Sequence, residues 1–85
     1  MNNTELYNHL LSVQPEKQMV VAIEELSELQ KELSKYLRNK LDKSNLLEEY
    51  VDVLIMMEQI KLLFDFQNKY IEMVKNYKLI RLQER

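Results

Sequence analysis

With 85 residues, a formal net charge of −2, one histidine and neither cysteine nor glycine, the chain has room for a single domain over residues 1–85. It excludes a disulfide scaffold and any zinc site built on thiolates. The negative balance argues against nucleic acid held on a broad basic surface. The absence of an apolar run near 18 residues and of a charged-then-apolar leader leads us to expect no membrane partner and a cytoplasmic location. A domain this small buries only about 60–65% of its unfolded surface, so oligomerisation is expected to complete the core.

Zero Gly and one Pro favour helices joined by short polar loops over a sheet, whose turns and bulges call for Gly. A first helix is expected over roughly Thr4 to Ser12, with Thr4 as N-cap. Pro15 suits the first turn of a second helix, where its missing N–H costs nothing, and that helix runs to about Leu37. Arg38 to Ser44 reads as a loop, closed by Asn39 in the left-handed conformation. Ser44 or Asn45 caps a third helix running to about Phe64, with Asn45 and Glu48 resembling a capping box. Asp65 to Asn68 forms the next turn, and a fourth helix follows to the C-terminus. Short loops imply antiparallel neighbours, so the expected fold is all-α, an antiparallel four-helix arrangement.

On a wheel of about 100° per residue, Met19, Ala22, Leu26, Leu29, Leu33 and Tyr36 form the expected core stripe of the second helix. Glu25, Glu28 and Glu32 gather within about 60° along its border, while Glu24 falls nearer solvent. Acids at these spacings repel each other by a few tenths of a kcal/mol per pair, about 0.2–0.5, so basic neighbours or a cation must offset them. The third helix is apolar nearly all round from Leu46 to Leu63, the mark of a buried helix. Within it Glu49 and Asp52 share one arc with Gln59 and Asn45. Ionised carboxylates there require pairing or a metal. Packed antiparallel, Glu25 and Glu28 face Glu49 and Asp52, making a hard-oxygen site suited to Mg²⁺ or Mn²⁺. The lack of Glu-x-x-His argues against a redox di-iron site.

Glu24-Glu25-Leu26-Ser27-Glu28, followed after twenty residues by Glu49-Tyr50-Val51-Asp52, resembles the paired motifs of the MazG-like all-α nucleoside triphosphate pyrophosphatases. The basic Tyr77-Lys78-Leu79-Ile80-Arg81-Leu82 is similar to the last helix of short, single-domain members of phage or Firmicute type. The resemblance spans residues 17–85. It implies Mg²⁺-dependent hydrolysis of a (d)NTP between the α- and β-phosphates, giving a nucleoside monophosphate and pyrophosphate, in a nucleotide-pool house-cleaning role. It assigns the metal and catalysis to Glu25, Glu28, Glu49 and Asp52. It also implies a homo-dimer or homo-tetramer whose sites are completed across subunits.

Lys78 and Arg81 share a stripe with Ile71 and Val74 and are expected to hold triphosphate oxygens; Lys75 and Arg85 are weaker candidates. The competing reading is that these cations complement the helix C-terminus or pair with surface acids. Gln18, two turns upstream of Glu25, is a candidate reader of a base edge. His9 reads as a surface or partner-helix residue, Tyr50, Met56 and Met57 as packing or a base pocket, and Tyr36, Phe64, Phe66 and Tyr70 as packing or a subunit interface. The alternative to an enzyme is a non-catalytic helical interaction module, or a relative that binds nucleotide without turnover.

Overall fold

The computed structural model describes residues 1–84, and Arg85 lies outside the described residues. They form four helices: α1 (Asn3–Val13), α2 (Pro15–Leu37), α3 (Lys43–Leu63) and α4 (Asn68–Gln83). The all-helical reading and the four elements stand, and no strand occurs among the described residues.

The caps explain the boundaries and correct two expectations. Asn2, not Thr4, caps α1: its Oδ1 accepts from the Glu5 N–H at 2.8 Å, the three-residue reach of an N-cap, so the helix starts earlier. Pro15 opens α2 as expected. Asn39 adopts φ 58°, the left-handed geometry that closes a helix without Gly. Asp42, not Ser44 or Asn45, caps α3, its Oδ1 accepting from the N–H groups of Ser44 (3.0 Å) and Asn45 (3.2 Å). Asp65 takes φ 53° in the turn before α4.

α2 and α3 form a closely packed hairpin, and α1 lies against both. Tyr7 ties α1 to α3 by donating its O–H to Glu58 at 2.6 Å. α4 packs against none of the other helices. It is held at its start by the Lys61–Asn68 side-chain bond and by Phe66 N–H donating to the Lys61 carbonyl. The four helices therefore do not close into the expected antiparallel four-helix arrangement within one chain. The left-handed turn at Asp65 sends α4 outward. The radius of gyration is 15.7 Å, against about 12 Å for a compact domain of this length.

The core is small, comprising Tyr7, Leu11, Ala22, Val53 and Met56. The covered face of α2 is only in part the expected stripe: Met19, Ala22 and Leu29 are buried or half-buried. Leu33 is 52% and Tyr36 63% exposed, and Leu26 is exposed as well. The buried or half-buried line on α2 instead runs Gln18, Ala22, Glu25, Leu29, Glu32. On α3 the covered line is Leu46, Glu49, Val53, Met56, Gln59 and Leu63. The hairpin closes over a seam rich in polar side chains, and much apolar surface on α2 and α3 remains bare. α3 is thus buried along one stripe, not all round.

Candidate metal centre

Gln18, Glu25 and Glu32 recur every seven residues, which keeps them on one side of a helix of 3.6 residues per turn. The hairpin lays this line along α3 and brings Glu25 to Asp52. Carboxylate oxygens of Glu25, Glu49 and Asp52 all lie within 4.8 Å of one another, with Glu25 and Glu49 half-buried and Asp52 at the open edge. Glu28 stands outside this trio, yet its negative charge acts on both Glu25 and Glu49. Glu24 points to solvent, as its place on the wheel requires.

The electrostatics of the trio are strained. Desolvation raises the Glu25 carboxyl above its usual range, helped by its carboxyl–carboxyl contact with Asp52 and by the charges of Asp52, Glu49 and Glu28. Desolvation also raises Glu49, followed by the charges of Asp52, Glu28, Glu32 and Glu48. Glu25 Oε2 is buried and has no hydrogen-bond partner. No lysine or arginine pairs with the trio among the described residues; the nearby Lys35 ammonium is engaged by Glu32 at 2.9 Å. Three carboxylates brought together without a counter-cation, one of them with an orphaned oxygen, match what a hard divalent ion supplies. Such an ion offers positive charge and takes oxygen donors. The three residues therefore fit Mg²⁺ or Mn²⁺, while Glu28 contributes its charge from outside the trio.

Three further polar side chains are buried in the same seam. Glu32 is only 6% exposed; its Oε1 takes the Lys35 bond and its Oε2 has no partner. Gln59 is 3% exposed, its Nε2 reaches only the weak Met56 sulfur acceptor at 3.6 Å, and its Oε1 has no partner. Gln18 is 8% exposed. It precedes Glu25 by seven residues as Gln59 follows Asp52 by seven, so the antiparallel register sets the two amides at one level of the hairpin, two turns from the trio. The sequence pattern placed Gln59 and Glu32 on the right arcs. What it lacked was their depth, which depends on where α1 and α3 press.

The basic candidates lie elsewhere. Lys78 borders an apolar trough on α4 with Ile71, Val74 and Leu82. The Arg81 guanidinium sits 5.9 Å from the centre of the Tyr77 ring. Both are exposed, and because α4 leaves the hairpin the chain does not bring them to its own carboxylates. Compared with protein-family models, curated proteins and solved structures, the sequence and fold find no match in any of the three.

Proposed function

We propose that this chain is a Mg²⁺-dependent nucleoside triphosphate pyrophosphohydrolase, cleaving (d)NTPs to (d)NMPs and pyrophosphate, and that it works as a homo-oligomer. One observation carries the reading: Glu25, Glu49 and Asp52 converge without a cation partner, and Glu25 Oε2 is left buried and unpaired. A charge cluster of this kind costs stability in a structural role, so a ligand that repays it is the economical explanation. The MazG-like resemblance of the paired motifs directs the choice toward triphosphate hydrolysis.

On this reading Glu25, Glu49, Asp52 and Glu28 hold the metal. Bound there, Mg²⁺ would neutralise phosphate charge and acidify a water molecule. The same crowding that raises the Glu25 and Glu49 carboxyls above their ordinary range without a cation is what a bound divalent ion would relieve. Gln18 is the candidate for reading the base. Lys78 and Arg81 are assigned to phosphate oxygens, and since they are remote from the acids of their own chain, they would have to serve the site of another copy.

A second reading is favoured by the unpartnered apolar surface of α4: a helical interaction module that uses no substrate, or a nucleotide-binding relative without turnover. The experiment that separates these is pyrophosphate release from a panel of NTPs and dNTPs, with Mg²⁺ and with EDTA. Wild type is run beside Glu49→Ala and Asp52→Ala, each checked for helicity. Metal-dependent release that falls at least about 100-fold in folded variants supports the enzyme. No release from any nucleotide, with both variants more stable than wild type whether or not Mg²⁺ is present, sinks it in favour of the interaction module.

A further inference from the structure

The buried seam between α2 and α3 changes character along its length. At one level stand the carboxylates of Glu25, Glu49 and Asp52. Two turns away, about 10 Å along the helix axis at 1.5 Å per residue, stand the amides of Gln18 and Gln59, both buried. Between the two levels lie Ala22 and Met56, buried and uncharged. α1 lies against both helices at the amide level, where its Tyr7 donates to Glu58, the neighbour of Gln59.

A buried amide is ordinarily met by partners at both its polar ends. Gln59 is met at one. Its Nε2 donates to the Met56 sulfur at 3.6 Å, a weak acceptor, and its Oε1 has no partner. An amide with both ends free reads an edge that sets a donor beside an acceptor. With its nitrogen turned to sulfur, Gln59 offers an acceptor alone, so the group that completes it is a donor.

The spacing of the two levels says which donor. A nucleotide whose phosphates lie at the carboxylates carries the outer edge of its base one ribose and one ring further on, which is the separation of the levels. Cytosine and adenine place there an exocyclic amine beside an accepting ring nitrogen. Uracil and hypoxanthine place a carbonyl where the amine would be. The amine gives an N–H to Gln59 Oε1, and the ring nitrogen accepts from the Gln18 amide. A carbonyl would set acceptor against acceptor in a buried seam and leave both unsatisfied.

We propose that Gln59, with Gln18 at the same level, selects nucleotides whose base carries an exocyclic amine, the base entering where α1 lies on the hairpin. The inference rests on the pyrophosphohydrolase reading and adds to it the class of base that the site takes.

The test is pyrophosphate release by the full chain with Mg²⁺ from two pairs, dCTP against dUTP and dATP against dITP. Within each pair an amine is exchanged for a carbonyl. The amino member should be favoured roughly 10- to 100-fold in kcat/KM in at least one pair. Which pair shows the preference tells cytosine from adenine. Gln59→Met, checked by thermal melting, should lose that preference. Gln18→Met should weaken it, and it carries the variant arm if Gln59→Met fails to fold. Equal or reversed kcat/KM in both pairs overturns the inference and leaves the hydrolase reading standing. A preference that survives in folded Gln59→Met does the same. No release from any nucleotide overturns the hydrolase reading, and the inference with it.

Discussion

The α2–α3 hairpin and the α4 helix carry opposite mismatches between side chain and surroundings. The hairpin buries what water would normally keep: Gln18, Glu32 and Gln59 are its most enclosed polar side chains, and Glu25 leaves an oxygen unpaired in the same seam. α4 exposes what water would normally drive inward, with aromatic and aliphatic residues on all its faces. Each mismatch costs free energy in an isolated chain, and on the proposed reading a cation relieves the first and a second copy the second. The kind of group that is misplaced is thus what separates the two regions, buried polar groups in the hairpin and bare apolar ones on α4.

The comparison can be broken most sharply by hydrogen exchange. Amides of α2 and α3 should keep their protection on dilution to nanomolar concentration. Those of α4 should fall to within about tenfold of unfolded-chain rates, because a lone helix of that length is marginal. Protection of α4 that survives dilution would show that it finds a partner inside its own chain.

The next effect is in the carboxylate seam. Glu25→Gln removes one charge from the cluster and should raise the melting temperature of the metal-free protein by about 4–8 °C, the shift that about 1 kcal/mol produces in a domain of this size. The same variant should lose most of the stabilisation that Mg²⁺ gives wild type. A melting temperature that falls without metal would mean the ionised carboxylate is already satisfied.

Gln59→Met exchanges an amide whose Oε1 has no partner for an apolar side chain of similar length. It should stabilise the fold by about 1 kcal/mol, since the penalty of an unsatisfied buried acceptor is removed. Destabilisation of the free protein in thermal melts would reveal an internal water or another partner on Oε1.

The smallest effect is in pH. Glu25 and Glu49 have carboxyls raised above the ordinary value of 4.5, so the folded state holds their protons more tightly than the unfolded chain does. Their contribution favours folding below 4.5 and is lost as pH rises through the raised folded values. The metal-free protein should therefore melt somewhat higher near pH 5 than at pH 7, and saturating Mg²⁺ should flatten or reverse that slope. A metal-free profile that rises steadily toward pH 7 would contradict the raised carboxyls.

Helix number, the Pro15 start, the Asn39 closure and the acid arcs were legible in the sequence because they depend on neighbours within a turn or two. The caps were read less well: Asn2 and Asp42 won over Thr4, Ser44 and Asn45 because several adjacent residues can cap and only the chain's path selects one. The stripe Met19–Ala22–Leu26–Leu29–Leu33–Tyr36 was a sound reading of amphipathicity, but only Met19, Ala22 and Leu29 are covered within the chain, while Leu26, Leu33 and Tyr36 are exposed. A helical wheel shows which side is apolar and says nothing of whether the covering surface belongs to the same chain.

What the sequence determined alone was therefore local and periodic: four helices, two acidic motifs at helical spacing, and apolar positions in excess of what one small core can bury. Tertiary structure decided the rest. It closed the hairpin over the Gln18–Glu25–Glu32 line, drew Glu49 and Asp52 to Glu25 while leaving Glu28 outside the trio, and sent α4 away from the core. These outcomes depend on helix rotation and on one turn at Asp65. Both are set by the balance of many contacts distant in sequence, which no spacing rule contains.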